Sequence, residues 1–483
     1  MTERQPHRPN FVVVLTDDQG PWATPWAMPE LRMPHLERLA AESLRLEQFY
    51  CASPVCSPAR ASLLTGRIPS AHGVHDWLVG DRAPGTFPDH YLDGQPTTPE
   101  ALGAAGYQCW MSGKWHVGDS QWPAPGFSGW YAHRYGAGPY IDAPIWVDGA
   151  PGTEPRYLTN AITDEAIGFI EGRDPSRPFY LQVNYTAPHD PWLEGHPEEY
   201  TAQYEDCDFP SVPREERHPW SLDLSDFDAA YAEPLPRLAG YCASLTAVDD
   251  DLGRILDHLE QDGLRENTVI VFLSDNGFSC GHHGIWGKGN GTWPLNFWDN
   301  SVRVPFLISI PGGPTGVSDA LSSAVSLHAT ICDLAGVALP PDRWRAGESL
   351  VPVLWGQHAG AEAVVVASEY GGGRMVTDGR WVYVDRQSGP SELYDRAHDP
   401  DERNNLVDDP AFEQERSRLR AELHRWFEAR ERIDASAWER RVRGLGQLQP
   451  VTRGMPDEAT YAQESAPDGI PGKPAPRPTP EGS

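Results

Sequence analysis

Four short apolar runs each break off into polar turn residues. They are "FVVVLTDDQG" from Phe11, "PFYLQVNYTAPH" from Pro178, "TVIVFLSDNG" from Thr268 and "VPFLISIPGG" from Val304. Runs of this kind, apolar at consecutive positions, cannot lie half in water; they need cover on both faces, as parallel strands have. Helical patterns separate them. "MPHLERLAAESLRLEQFY" carries Leu36, Leu39, Ala40, Ser43 and Leu44 near helical spacing, "LAGYCASLTAVDDDLGRILDHLEQDG" runs to a stop at Gly263, and "VSLHATICDLAGV" follows. Strands alternating with helices predict an α/β fold, a large mainly parallel sheet sandwiched by helices, over residues 8–360. After about Val364 the pattern changes. "AVVVASEY", "GRMVTDGRWVYVD" and "SELYD" predict a small antiparallel sheet, and "AFEQERSRLRAELHRWFEARER" an amphipathic helix, together a C-terminal subdomain over 361–448. From 449 to 483 the Pro-, Gly- and Glu-rich composition predicts a disordered or loosely draped tail.

The net charge of −30 argues against nucleic acid or an anionic membrane as partner. It also sets a test: a pocket for an anionic substrate must gather Arg, Lys and His against the general field. No apolar run approaches the ~20 residues that a bilayer crossing needs. "MTERQPHRPNFVVVL" reads as a first core strand and not as a secretory signal. Seven cysteines, an odd number with no C-x-x-C pair, point to reduced thiols in a cytoplasmic protein.

In parallel sheets, ligand groups collect beyond the carboxyl ends of the strands. Asp17, Asp18, His189, Asp275 and Asn276 all fall at that edge. Alone, Asp17–Asp18 reads as a turn with a helix cap. Together with "SDNG" at Ser274–Gly277 it forms two acidic strand ends able to supply hard oxygen ligands to Ca²⁺ or Mg²⁺, whose charge relieves the repulsion among the carboxylates. "GKWHVG" sets Lys114 and His116 two apart, so an extended segment turns both to one side. "APHDPW" holds His189 between prolines. "GHHGIWGKG" adds His282, His283 and Lys288, without Cys/His spacing for zinc. In "CSPARASLLTGR", Cys56 stands where a helix starts, with Pro58 in the tolerated first turn and Gly66 to end it. A thiol there is a disulfide partner, a nucleophile, a metal ligand or a site of modification. Trp22, Trp26, Trp77, Trp122, Trp130 and Trp192 lie in expected loops. Buried packing is the expectation for most of them, stacking on a sugar or aryl ring the alternative.

Taken in order, these motifs resemble the type I sulfatases of the alkaline-phosphatase-like superfamily. The family pattern is Cys-x-Pro-x-Arg followed by Thr-Gly-Arg. Cys56, Pro58, Arg60, Thr65, Gly66 and Arg67 match it, whereas Cys51 fails because Ser53 occupies the proline position. The resemblance extends from about Asn10 to the closing helix. It implies a sulfuric ester hydrolase in which a separate maturation enzyme oxidises Cys56 to formylglycine, whose hydrate attacks the sulfur of a sulfate monoester to give a covalent sulfo-enzyme. It further implies a cation, calcium first and magnesium second, bound by Asp17, Asp18, Asp275, Asn276 and an oxygen of modified residue 56. Arg60 and Lys114 orient the hydrate, His116 serves as base for release of sulfate, and His189 and Lys288 bind the sulfate and assist the leaving oxygen. The expected substrate is a small-molecule or carbohydrate sulfate ester. Two alternatives stand beside this: a phosphonate monoester or phosphodiester hydrolase on the same scaffold, and an unmodified member that only binds sulfated ligands. Asn276 tilts against the first, since phosphonate-cleaving relatives tend to carry histidine there. One departure from the family is Phe297-Trp298-Asp299-Asn300, where an aromatic-Glu pair is common; altered packing or substrate contacts are expected from it.

Overall fold

The apolar run at the start of the chain becomes a strand buried along its whole length, Asn10–Thr16 (β1). In the computed structural model, which describes residues 8–78, 90–147, 149–222, 227–387, 389–436, 438, 446–451 and 460–461, β1 lies at the centre of a ten-stranded sheet. The other strands are Leu44–Leu46 (β2), Gln108–Lys114 (β3), Gly129–His133 (β4), Ala143–Val147 (β5), Ala150–Glu154 (β6), Phe179–Asn184 (β7), Thr268–Ser274 (β8), Phe306–Ser309 (β9) and Gly316–Ser318 (β10). Their order is β10-β2-β9-β8-β1-β7-β3-β4-β5-β6. The five central strands from β8 to β4 are parallel, with Val12 opposite both Leu181 and Ile270. On the flanks β9 pairs antiparallel with β8, and β5 antiparallel with its neighbours, so the sheet is mixed but mostly parallel.

Successive residues of β1 serve opposite faces, which is why the run is continuously apolar. Val12 and Val14 join a core with Leu181, Phe272 and the helices Leu158–Glu171 and Pro234–Gln261. Phe11, Val13 and Leu15 join another with Leu63, Leu64, Leu327 and Ile331 from helices on the opposite side. Gly263, at φ +66°, follows the long Pro234–Gln261 helix, as the sequence suggested.

One expected helix is half strand. After Pro34–Ala41, the continuation Leu44–Leu46 pairs with β9 and β10, and Ser43 Oγ donates to the Leu39 carbonyl where the helix stops. Leu44 and Leu46 fit either period, and sheet pairing decides between them. The small sheet is present as four antiparallel strands, Val364–Ser368, Gly373–Thr377, Trp381–Arg386 and Glu392–Asp395. Leu419, Leu423 and Phe427 of the Glu413–Arg430 helix cover it, in a core that also takes in Ala52, Ile68 and Ala71 beside the Cys56 helix. Of the expected loose tail, residues 449–451 and 460–461 are described. Val451 and Tyr461 are buried against Gly73 and His75, and Thr460 is buried beside Leu448, a docking that the Pro-rich composition did not announce. Among the described residues no helix is long and apolar enough to cross a membrane.

Candidate active site

The carboxyl ends of β1, β3, β7 and β8 meet the first turn of one helix. Cys56 is the first residue of Cys56–Thr65, a helix buried along its whole length, whose Ala61, Leu63 and Leu64 share a core with Leu15, Leu273 and Leu327. Gly66, at φ +68°, ends it and donates its amide to the Ser62 carbonyl. The second half of the "CSPARASLLTGR" pattern acts at this far end: Arg67 donates to Asp342 Oδ2 at 2.9 Å and Gln95 Oε1 at 2.9 Å, and reaches none of the central carboxylates. Thr65-Gly66-Arg67 thus anchors the helix, while Cys56 and Arg60 face the chemistry.

β1 delivers Asp17 and Asp18, and the neighbouring β8 delivers Asp275 and Asn276. Asp17 donates its amide to the Ala187 carbonyl and Asp275 its amide to that of Thr16, which fixes the three loops to one another. Asp18 takes a left-handed φ of 66°, uncommon for a residue with a Cβ. The Tyr241 hydroxyl donates to its carbonyl at 2.8 Å, and the Gln19 amide donates to Ser274 Oγ at 3.0 Å.

Each of the three buried carboxylates has its own cation. Lys114 Nζ binds Asp17, Lys288 Nζ binds Asp18, and Arg60 Nε donates to Asp275 Oδ2 at 2.7 Å. Lys288 Nζ also lies 2.7 Å from Cys56 Sγ, which is 3.3 Å from Asp17 Oδ1. Arg60 Nη1 donates to the Lys114 carbonyl at 2.8 Å, tying the helix to β3. His189 Nε2 lies 3.8 Å from Asp18 Oδ2, with its Nδ1 3.0 Å from Asp190 Oδ1. The pocket therefore gathers Lys114, Lys288, Arg60 and His189 in an acidic protein, where they balance Asp17, Asp18, Asp275 and Asp190.

Burial and charge divide the protonation states. Burial pushes Asp17 up, but Lys114, His189, Arg60 and Lys288 together overcome it and hold the carboxyl well below the usual range. Asp275 is raised to about 6 by burial and by the charge of Asp17. Burial and Asp17 push the Cys56 thiol up to about 12. For His189, burial favours the neutral ring, yet Asp190 and Asp18 outweigh it and raise the group to about 9. For Lys288, burial opposes the charge, and Asp18 and Cys56 more than restore it.

His116 reaches the site by a route other than the one expected. β3 stops at Lys114, and His116 adopts a left-handed φ of 56°, so the pair does not share one extended face. Burial, then the charges of Lys114 and Arg60, keep the ring neutral, well below the usual histidine range. Its Nε2 lies 3.1 Å from the Leu78 carbonyl. A carbonyl only accepts, so Nε2 carries the hydrogen and Nδ1 the lone pair. Nδ1 is buried and has no hydrogen-bond partner among the described residues.

The residues fit a divalent cation. Asp17, Asp275 and Cys56 offer ligand atoms within 4.8 Å of one another. Asn276 Nδ2 donates to Asp18 Oδ1 at 2.6 Å, which leaves Asn276 Oδ1 buried with no partner among the described residues. An orphaned carbonyl oxygen beside three carboxylates is the donor set that a hard cation takes.

His283 stands apart from this centre. Its ring stacks on Trp298 at 4.3 Å and 2°. The departure at 297–300 is absorbed by ion pairs: Asp299 binds Arg303 at 2.6 Å and Arg396 at 2.7 Å, while its amide donates to Glu402 at 2.9 Å. Most of the singled-out tryptophans pack. Trp22 stacks on Tyr241, Trp26 lies under Arg45, Trp130 meets Trp115 edge-on, and Trp192 is buried. Trp122 is exposed, and Trp77 packs half-buried against Val55 and Leu295. Three contributors gave no signal at the outset: Tyr241, Ser57 and Leu78, whose links run through backbone atoms. Asp190 was legible in principle, since it follows His189 directly.

Comparison with known proteins agrees with this geometry. The Sulfatase family profile matches residues 9–337, and one described as N-sulphoglucosamine sulphohydrolase, C-terminal, matches 294–429. The chain is 29% identical over 446 residues to the choline-sulfatase of Rhizobium meliloti (strain 1021), covering 83% of each. A solved structure in complex with its substrate D-glucosamine-2-N,6-O-disulfate superposes with a TM-score of 0.74 at 25% identity, over 87% of this chain and 98% of that one. The phosphonate monoester hydrolase of Agrobacterium radiobacter shares the fold, with a TM-score of 0.70 at 22% identity over 87% of this chain and 95% of that one. With its paired carboxylates, its Cys56 helix and its matched C-terminal region, the chain belongs to the sulfatase family of the alkaline-phosphatase-like superfamily, whose members hydrolyse sulfate esters.

Proposed function

We propose that this sulfatase works through a formylglycine made from Cys56 and a divalent cation, calcium first and magnesium second, cleaving a sulfate monoester by way of a covalent sulfo-enzyme. The observation that carries the proposal is the one-to-one pairing of Asp17, Asp18 and Asp275 with Lys114, Lys288 and Arg60 around residue 56. Those six charges cancel. A divalent cation then leaves the centre two charges positive, which matches one charge on an ionised nucleophile and one on a sulfate monoester. A plain thiol suits the task poorly: pushed up to about 12, it stays protonated at neutral pH and attacks weakly. Conversion to an aldehyde hydrate supplies an oxygen nucleophile instead, and requires a maturation enzyme as partner.

Asp17, Asp18, Asp275, Asn276 and an oxygen of modified residue 56 hold the cation, which when bound supplies Lewis acidity toward a sulfate oxygen. Asp275, raised to about 6, accepts the proton of the attacking hydroxyl. Arg60 and Lys114 are fixed before substrate arrives and offset the charge that gathers there. His189 stays protonated to about 9 and, with Lys288, binds the sulfate and stabilises the leaving oxygen. His116, neutral and with Nδ1 unpartnered, takes the proton that release of sulfate sets free.

A small-molecule or carbohydrate sulfate is the proposed substrate, in keeping with the sulfated sugar bound by the superposing structure. Two measurements on protein from its native host test the whole: mass spectrometry of the Cys56 peptide and turnover of 4-nitrophenyl sulfate. Conversion of the –CH₂SH group to –CHO together with turnover is the expected result. A uniformly unmodified thiol without turnover would make the chain a binder of sulfated ligands.

A further inference from the structure

His116 is oriented by one described hydrogen bond, from Nε2 to the Leu78 carbonyl, and by the close backbone of Gly136, where an added Cβ would lie 2.2 Å from the ring. The position of the ring therefore depends on what holds Leu78. Its amide donates to Ser57 Oγ at 3.0 Å, next to the nucleophile position. The rest of the support comes from the far end of the chain. Gln447 bridges to Leu78 and donates its amide to the Trp77 carbonyl at 2.9 Å. Its Oε1 accepts from the His75 amide at 2.6 Å and the Asp76 amide at 3.2 Å, and its Nε2 donates to the Gly73 carbonyl at 2.7 Å. The Gly446 amide donates to Asp76 Oδ2 at 2.8 Å. Tyr461 Oη lies 2.9 Å from His75 Nδ1, and the Thr460 carbonyl accepts from the amide of Leu448. Gln447 and Thr460 are wholly buried, so these bonds form away from competing water.

We propose that the C-terminal segment around Gln447 and Tyr461 belongs to the catalytic apparatus: it braces residues 73–78 so that the Leu78 carbonyl fixes His116 Nε2 and leaves Nδ1 unpartnered for the reaction. Gln447 is a positioning residue, acting through Leu78 and touching neither substrate nor cation. The inference rests on the role given above to His116. In that role His116 Nδ1 takes the proton of the remaining hydroxyl on modified residue 56. The bond from that carbon to the sulfate oxygen breaks, its electron pair leaves with sulfate, and the carbonyl re-forms. A loosened brace slows this second step and spares the first, in which the leaving group departs.

The test compares wild type, Gln447→Ala, Tyr461→Phe and His116→Ala in the full matured chain, with 4-nitrophenyl sulfate in stopped flow. For Gln447→Ala, kcat falls about ten-fold, the size expected when a catalytic group is displaced by a fraction of an ångström, and KM falls with it, so that kcat/KM changes less than about two-fold because the first step is spared. Nitrophenolate then appears in a burst approaching one equivalent per active site, as with His116→Ala, and the modified peptide gains the mass of one sulfo group. Tyr461→Phe, which removes a single hydroxyl and is the milder change, moves the same way by a smaller factor. Amide hydrogen exchange across residues 73–78 quickens in Gln447→Ala even when Cys56 is left unmodified. Unchanged turnover in Gln447→Ala, or a loss without a burst, overturns the brace. No burst in His116→Ala, or no turnover by wild type, instead overturns the reading of the site on which the brace depends.

Discussion

Arg60 offers the sharpest test of the charge pairing. Arg60→Met keeps most of the side chain's volume and deletes a guanidinium that is 3% exposed and 2.7 Å from Asp275. At that separation the gross attraction is about 6 kcal/mol for an effective dielectric of about 20. The net effect is smaller because the arginine no longer has to be desolvated; breaking such a buried pair costs about 3–5 kcal/mol, since the partner is left charged and alone. Asp275 has a way to relieve that strain. Already raised to about 6 by burial and Asp17, it rises further without Arg60 and binds a proton near neutrality. A carboxyl raised in the folded state stabilises at low pH, and that contribution is lost as pH climbs toward its folded pKa. The destabilisation by Arg60→Met is therefore greater at about pH 8 than at about pH 5.5. A protonated Asp275 is also a poorer cation ligand and no base, so kcat/KM on 4-nitrophenyl sulfate falls by about 10²–10³. Urea unfolding at the two pH values and initial rates provide the readouts. A rate loss below about three-fold, or equal destabilisation at both pH values, would refute the pairing as the source of Arg60's contribution.

Asp190→Asn removes one of the three charges that raise His189 to about 9, so the stability this pair gives below about 6.5, normally lost through about 9, is lost at lower pH. Thermal melts from acid to alkaline pH follow it, and the alkaline limb of kcat moves the same way. Calcium at a hundred times its dissociation constant stabilises the wild type by about 2.7 kcal/mol. Asn276→Ala deletes the unpartnered Oδ1 and weakens calcium binding about ten-fold or more by titration calorimetry, and unchanged affinity removes Asn276 from the ligand set. Aryl phosphate monoesters bring two charges to a centre balanced for one and turn over about a hundred-fold more slowly than aryl sulfates, some 2.7 kcal/mol. A preference for an aryl phosphonate monoester over the sulfate would overturn the assignment of substrate class.

Much of this site was legible because strand ends and a helix start announce themselves locally. Asp17–Asp18 and Asp275–Asn276 follow apolar runs that could only be buried, and burial on both faces brings the two ends side by side in adjacent parallel strands. Pro58 and Gly66 bounded the Cys56 helix for reasons of backbone geometry alone. What stayed hidden depends on tertiary context. Leu44–Leu46 carries a helical pattern, yet joins the sheet because β9 offers it unpaired backbone groups. His116 was expected on the face of Lys114; the chain instead turns left-handed there, a conformation no spacing rule foresees. Gln447 lies 372 positions from His75, and nothing local at the end of the expected 361–448 subdomain marks it as a backbone brace.

The same geometry explains how such a site survives folding without its cation. Three carboxylates buried to within a few per cent of full enclosure would be untenable if unpaired. Pairing each with a lysine or arginine removes most of that cost before any ion arrives. Fixing Asp18 and His116 in left-handed backbone costs more, of the order of 1 kcal/mol each. That cost is met by neighbours fastened from outside: Tyr241 holds the Asp18 carbonyl, and Leu78 holds His116. A cation held by these carboxylates, as proposed above, would meet ligands already in place and would release Lys114 and Lys288 from them. In the proposed roles Lys288 would then be available to a sulfate oxygen and Lys114 to modified residue 56. On this view the lysines have two successive partners, which is why they are lysines: a single ammonium on a flexible stem moves between anions more readily than a forked guanidinium. Arg60, by contrast, is held by several partners at once: its planar fork spans Asp275 and the Lys114 carbonyl, with Asp17 3.9 Å away.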